Sequence, residues 1–180
     1  MSATLAPFGL RPAFHPSGLD RAQALANGIA SGYENDILKG EPVRYDPAAG
    51  TIVIVDDTGS VSGAFAGVEW TDTTGRRRVS NYWPASTAGT NIVAYFYNDL
   101  NIVYEIQTDA TIAQTSIGNE YNFSNVTSGS TTTGLSACTL NASSAAGSGS
   151  QAQMRVVDIA PYPGNDWGDA FTIVRVVNAN

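Results

Sequence analysis

The sequence predicts an all-β protein, a compact β-barrel or sandwich of about ten short strands with an extended N-terminal arm. Short runs rich in β-branched and aromatic residues recur at roughly 8–12-residue spacing, separated by Gly, Pro, Asn and Asp. No segment keeps a helical apolar period for long enough to make a convincing helix. Only 14% of the residues are charged and 18 of the 180 are Gly, a composition that suits turns and strands.

Residues 1–18 predict the extended arm. Three prolines in this segment each remove a backbone donor and hold the preceding residue extended. Phe8, Leu10 and Phe14 stand between the prolines as apolar anchors, so we expect the arm to lie on a surface. That surface belongs either to its own domain or to a neighbouring molecule. Residues 19–180 are then expected to form a single β domain.

The strand signals follow in chain order. Strands are predicted at residues 24–33, 41–45, 51–55, 64–71, 78–83, 91–97, 102–108, 153–159 and 170–177, with short strands near 121–123 and 137–140. Turn residues between them predict two hairpins, 41–45 with 51–55 and 64–71 with 78–83. The last two long runs are expected to pair across a loop rich in Pro and Gly.

Two further segments refine this pattern. Ile102, Tyr104 and Ile106 alternate with more polar residues, which puts one apolar face inward. Between residues 115 and 153 the composition shifts to Ser, Thr, Asn and Gly, and this segment is predicted to consist of loops around the short strands. No segment repeats at a fixed period, so a solenoid or propeller has no support.

Composition excludes several classes of partner. The chain carries 9 Lys and Arg against 16 Asp and Glu, a net charge of -7, whereas a protein that grips phosphate backbones needs a basic face. The N-terminus has no secretory signal, and no apolar run approaches the roughly 20 residues that cross a bilayer. We therefore expect no nucleic acid, no membrane, and synthesis in a cytosol.

Catalytic, metal and cofactor signals are equally sparse. His15 is the only histidine and stands in the arm, where we expect no framework to hold it against a nucleophile. Cys138 is the only cysteine and is expected to be a small buried hydrophobe. The oxygen-rich residues 165–169 lack EF-hand spacing, and no phosphate loop is present. We expect no enzyme activity, no metal and no cofactor.

Arg76, Arg77 and Arg78 form one basic cluster in an acidic chain. They are either the solvated tip of a hairpin or a set of cations that pair with carboxylates of a neighbouring subunit. Six aromatic residues lie around the same hairpin, at positions 70, 82, 83 and 95–97. Core packing explains such residues more often than ligand stacking does.

A set of short segments together resembles one known family. The segments are residues 7–12, His15, 40–43, 67–72, 82–85, 104–107, 130–134 and 165–169. They are similar to those of the small virion proteins of tailed bacteriophages known as capsid cement or decoration proteins. The family pattern more often has Asp at the position of Glu41 and Tyr at that of Trp70. The likeness runs over most of the chain and implies no catalytic residue.

The resemblance implies a protein that binds the outer surface of the mature phage head and stabilises the contacts between capsomers. It implies the major capsid protein as partner, self-association as a homotrimer, and a virion location after assembly in the bacterial host cytoplasm. On this hypothesis Phe8, Leu10, Arg11 and Phe14 of the arm, together with Arg76, Arg77 and Arg78, contact the capsid or a neighbouring subunit. The alternatives are a tail, baseplate or head-fibre component, or a carbohydrate-binding β module.

Overall fold

The computed structural model describes residues 4–18, 21–56, 59–147 and 150–179. The start of the predicted arm, its boundary with the domain at 19–20, part of a predicted turn at 57–58, part of a Ser/Gly loop at 148–149 and residue 180 lie outside these ranges. The all-β prediction is confirmed: sheets pack against one another, and an open sandwich fits the arrangement. One turn of 3-10 helix, Gln114–Ser116, interrupts the strands in the described part of the chain.

Across the described ranges the chain forms fifteen strands. In chain order they are β1 (Arg11–Phe14), β2 (Gln23–Ala26), β3 (Pro42–Asp46), β4 (Thr51–Ile54), β5 (Gly63–Asp72), β6 (Arg77–Ser80), β7 (Gly89–Tyr97), β8 (Val103–Gln107), β9 (Glu120–Tyr121), β10 (Phe123–Ser124), β11 (Gly129–Ser130), β12 (Leu135–Ser136), β13 (Thr139–Leu140), β14 (Met154–Ile159) and β15 (Ile173–Asn178). Five of them have only two residues, and the other ten correspond to the predicted strands together with β1 in the arm.

Two sheets carry the fold, and all their strand pairs are antiparallel. The five-stranded sheet has the order β1-β8-β15-β14-β9, and the six-stranded sheet has the order β2-β7-β5-β3-β4 with β6 paired to β5. The predicted pairings β3–β4, β5–β6 and β14–β15 are confirmed. The consecutive strands β7 and β8 belong to different sheets, so the connection at residues 98–102 crosses from one layer to the other.

The buried side chains form two clusters, each centred on one of these two sheets. Ile102, Tyr104 and Ile106 point into the cluster of the five-stranded sheet, as their alternation predicts. Trp70 and Trp83 meet edge to face at 5.5 Å in the cluster of the six-stranded sheet. Such burial stabilises the fold by about 1.5–3 kcal/mol for each large apolar side chain. Val126 packs against both clusters and joins them.

Two strand predictions needed correction. The strand predicted at 24–33 ends at Ala26, because Asn27 adopts a left-handed conformation with φ 53°. The chain then turns inward and buries Ile29. The strand predicted at 78–83 ends at Ser80, and Trp83 instead forms an isolated bridge with Ile37. In both places the chain leaves the sheet and buries one large side chain, Ile29 or Trp83.

Candidate functional site

The arm lies on its own domain. Its strand β1 pairs with β8 and forms one edge of the five-stranded sheet, with Arg11 opposite Glu105 and Phe14 opposite Val103. Pro12 is tolerated because an edge strand needs no donor on its open side. Of the two surfaces that the sequence left open for the arm, the chain uses its own.

Leu10 anchors this arrangement. Its side chain has 0% exposure and belongs to the core of the five-stranded sheet, and its N–H donates to the carbonyl of Gly40 at 2.7 Å. Gly9 and Gly40 both have left-handed φ, and a Cβ on Gly9 would lie 2.5 Å from the Gly40 oxygen. The expectation that Leu10 offers an exposed anchor to a partner is therefore wrong for this conformation, because the core of its own domain encloses its side chain.

Arg11 belongs to a cluster of polar side chains around the buried carboxylate of Glu105, on the outer side of the same sheet. Its Nη2 donates to Glu105 Oε2 at 2.8 Å and to the Tyr162 hydroxyl at 2.7 Å. The Tyr162 hydroxyl also donates to Glu105 Oε2 at 2.6 Å, and Arg175 Nε lies 3.5 Å from Glu105 Oε1. The guanidinium of Arg11 lies 4.4 Å from the centroid of the Phe8 ring. The arm is thus fixed by one carboxylate with three polar partners.

Electrostatics keep the Glu105 carboxylate charged. Burial by itself would raise its pKa, but hydrogen bonds from Tyr162 and Arg11 and the charges of Arg11 and Arg175 outweigh this effect and lower the pKa. The same hydrogen bond raises the pKa of the Tyr162 hydroxyl. The sequence pattern had placed Glu105 on the polar face of β8, and a side chain this deeply covered on an outer sheet face was not predicted.

Next to this cluster lies an exposed apolar surface, here called the arm face and defined by Phe14, Val103, Val157 and Arg175. Phe14 is 55% exposed and Val157 is 37% exposed. With Ala13 and Asp158, the four residues of the arm face line a shallow hollow of about 380 Å³. An aromatic ring and valines beside an arginine are the composition of an interface core rather than of an ordinary solvated sheet.

A second feature, here called the arm cavity, lies beside the residues that lead into β1 and its first two residues. It has a volume of about 340 Å³ and includes Phe8, Leu10, Lys39, Phe65, Tyr97 and Leu135 in its lining. Leu10 comes from the core of one sheet and Phe65 from the core of the other. The cavity therefore opens at the seam between the two layers, where the arm crosses it.

His15 is held more firmly than the sequence predicted. Its Nε2 lies 3.0 Å from Asp99 Oδ2, and its Nδ1 lies 2.6 Å from the Ser17 hydroxyl. The Ser17 backbone N–H donates to Nδ1 at 3.0 Å, so Nδ1 is the acceptor and a neutral ring carries its proton on Nε2. The expectation that no framework holds His15 is wrong, since the ring links the turn after β1 to the β7–β8 connection.

This Ser–His–Asp chain lacks the surroundings of a nucleophilic site. The N–H of Ser17 already donates to the imidazole, and the N–H of Gly18 donates to the carbonyl of His15 at 2.8 Å. Neither N–H is left to stabilise an oxyanion near the Ser17 hydroxyl. The three side chains act as a structural clip that holds the arm against the domain.

The arginine cluster is largely neutralised within its own hairpin. Arg77 forms an ion pair with Glu69, and Arg78 Nε lies 2.8 Å from Asp72 Oδ2. Asp72 also accepts hydrogen bonds from the turn, through Thr74 and the Arg76 N–H, and these interactions with that of Arg78 hold its pKa well below the usual range. Within the described residues, Arg76 alone of the three has no carboxylate partner. Of the three arginines that the hypothesis pairs with a neighbouring subunit, only Arg76 is thus left without a carboxylate partner in its own hairpin.

Other sequence candidates have structural explanations. Cys138 is fully buried, as predicted, and burial raises the pKa of its thiol. Asn165 is buried, and its side chain bonds to the backbone of Ala160 and Ile173, so its amide closes the loop between β14 and β15. Within the four described ranges, no three His, Cys, Asp or Glu side chains come together as metal ligands, and no helix is long and apolar enough to cross a membrane.

Comparison of the chain with protein-family models, with curated proteins and with solved structures finds no match. The chemistry of the site therefore follows from its own geometry. The arm brings together Phe8, Arg11 and Phe14 of the predicted interface residues, and it separates them from the arginine hairpin, which belongs to the other sheet. Sequence reasoning missed Lys39, Val157, Tyr162 and Arg175. For Val157 the sequence holds one signal: it is an apolar residue that directly follows the inward-facing Val156, so on a strand it must face outward.

Proposed function

We propose that this protein is a capsid cement protein of a tailed bacteriophage, which binds the outer surface of the mature head through its arm face. The observation that carries the proposal is the exposure of Phe14 and Val157 around the hollow beside Arg175. A solvated sheet face normally carries polar residues, whereas aromatic, aliphatic and arginine side chains together are typical of a surface that another protein covers. The major capsid protein is the proposed partner.

The mechanism needs no chemical step. A protein that binds the assembled lattice, and not its separated subunits, adds its binding free energy to the assembled state. Many copies on one shell multiply a modest contribution from each contact. Rigid attachment of the arm supports this mechanism, because Leu10 and the Glu105 cluster hold Phe14 in place before binding, and less conformational entropy is then lost on association. Trimers at local three-fold positions belong to the same proposal.

A carbohydrate-binding function has less support from the geometry. Such a module stacks sugar rings on exposed aromatic faces, but the two tryptophans of the segments predicted to form the aromatic hairpin are buried, with Trp83 at 0% and Trp70 at 8% exposure. The third tryptophan, Trp167, is half-buried and packs against the core of the five-stranded sheet. A tail, baseplate or head-fibre location is distinguished from cement by copy number, which is in the hundreds per particle only for cement.

The proposal is tested by co-sedimentation of the purified protein with mature phage heads that lack it. The wild-type protein should attach in hundreds of copies and raise the temperature at which heads release their DNA. Phe14→Ser should attach at least tenfold more weakly, because it removes the aromatic ring at the centre of the arm face. Val79→Ser is the matched control, since Val79 is 77% exposed and lies on β6 of the other sheet.

Two outcomes would overturn the proposal. Heads that bind no wild-type protein, or bind only a few copies, remove the cement function and favour a tail or fibre component. Equal losses in Phe14→Ser and Val79→Ser place the binding surface elsewhere than the arm face. Circular dichroism spectra of both variants should match that of the wild-type protein. This control distinguishes a binding defect from a folding defect.

A further inference from the structure

The arm cavity has the size and lining of a site for a large side chain. Its volume of about 340 Å³ is roughly twice that of a 150 Å³ apolar cavity that accepts benzene. The walls are mainly apolar, with Phe65 almost completely buried and Leu135 43% exposed. Sites that bind ligands combine such walls with a few placed polar groups. An aromatic ring with a short polar extension fits these dimensions.

The charged side chains that line this cavity are two cations, Arg11 and Lys39. The charge of Arg11 is already used, because Glu105 and Tyr162 accept or share its hydrogen bonds. Lys39 is exposed and forms no ion pair with any residue in the described ranges, although the chain as a whole has a net charge of -7. Its backbone is fixed, since its N–H donates to Gly134 O at 2.8 Å and its carbonyl accepts from Ser136 N at 3.0 Å. A cation carried on a fixed backbone beside an apolar cavity favours an anionic occupant.

We infer that the arm cavity receives an aromatic side chain of a protein partner that adjoins an Asp or Glu residue, with Lys39 pairing with the carboxylate. The inference rests on the proposed function, because the partner is the capsid surface. Strand β1 contributes Arg11 and Pro12 to the arm cavity and Phe14 to the arm face. Neighbouring residues of one strand thus line both features, and we assign both to the same partner.

Small probes test the chemistry of the cavity without any capsid. The ¹⁵N-labelled full chain is titrated with 3-phenylpropionate, which carries a ring and a carboxylate, and with 3-phenylpropanamide, its neutral counterpart. Amide shifts are expected at Gly40, Phe65 and Leu135 with both probes. The carboxylate should bind about two- to fivefold more tightly, the range that one exposed ion pair provides.

Variants assign this preference to one side chain. In Lys39→Gln the two probes should bind equally, whereas Arg21→Gln, which removes an exposed cation that does not line the cavity, should keep the preference. Co-sedimentation with mature heads then tests the partner. Lys39→Glu should attach more weakly than Arg21→Glu, because the reversed charge repels the partner's carboxylate while the net charge changes equally.

The results separate this inference from the proposed function. If wild-type protein attaches to heads but neither probe shifts the cavity amides, or both probes bind equally to wild-type protein, the inference is wrong and the proposed function stands. If the probes behave as expected but Lys39→Glu and Arg21→Glu attach equally well, the cavity is not where the partner binds. If wild-type protein does not attach to heads, the partner assigned here falls together with the proposed function.

Discussion

Replacing Glu41 by Gln should change how the stability of this protein depends on pH. Glu41 precedes β3, and its side chain has 0% exposure. Its Oε1 accepts the N–H of Thr127 at 2.8 Å, while its Oε2 has no hydrogen-bond partner. Burial raises the pKa of Glu41 from 4.5 to about 7, against the opposing effect of the nearby Ser136 hydroxyl and of the Thr127 N–H.

The sign of the effect follows from linkage. The folded protein holds the Glu41 proton more tightly than the unfolded chain, so the full stability is present below pH 4.5 and is lost as pH rises towards 7. This shift lowers the free energy of unfolding by about 1 kcal/mol at pH 5 and by about 3 kcal/mol at pH 8. Gln carries no charge at either pH, so Glu41→Gln should gain about 2 kcal/mol over wild type between pH 5 and pH 8.

Urea unfolding of both proteins at pH 5 and pH 8 measures this difference. The lower pH stays above the isoelectric point near 4.4, where association would interfere. Any constant cost of placing an amide at Oε2 cancels, because only the change between the two pH values is compared. Glu34→Gln, at an exposed position, is the matched control and should track wild type. A stability difference between Glu41→Gln and wild type that is the same at both pH values would refute the reasoning.

Three further predictions concern the arm and the hairpin. Leu10→Ala should lower the free energy of unfolding by about 2–5 kcal/mol, whereas Phe14→Ala should change it by less than about 0.5 kcal/mol. Denaturant unfolding measures both values, and equal losses of stability in the two variants would contradict the difference in burial between Leu10 and Phe14. Asp72→Ala should speed amide hydrogen exchange at Thr74 and its neighbours, because the Asp72 carboxylate accepts hydrogen bonds across that turn. Unchanged protection of these amides would show that Asp72 does not order the turn of the β5–β6 hairpin. Ser17 should stay unlabelled by a fluorophosphonate, since the N–H groups of its turn already donate within it, and a stoichiometric adduct seen by intact mass spectrometry would reveal a reactive serine.

The strands were predictable where one side of the chain meets a core. From the residue before β8 onward, Ile102, Tyr104 and Ile106 alternate with other residues, and the structure confirms that these three point into one apolar core. The hairpin β3–β4 was equally clear, because turn residues stand between two β-branched runs. Local pattern is sufficient in such cases, since register and facing are set by residues close in sequence.

Contacts between distant segments were not predictable in the same way. Glu105 is buried because Arg11, about ninety residues earlier, and Tyr162, about sixty residues later, meet above it. The alternation along β8 could only assign Glu105 to the outer face. The contacts that hold His15 could not be predicted for the same reason, since Asp99 comes from a connection that the sequence does not place beside the arm.

Tertiary contacts also decide which cationic side chains remain without an ion-pair partner in their own chain. Six of the nine cations form ion pairs within the described ranges, and Arg77 and Arg78 are among them. A cluster of arginines in a sequence suggests a binding surface. On a hairpin, however, cross-strand neighbours place carboxylates close enough to pair with those arginines. Lys39 stands alone in the sequence and keeps its charge free beside an apolar cavity. For an acidic partner, Lys39 is therefore a stronger attachment point than Arg77 or Arg78, because no carboxylate of its own chain has to be displaced first.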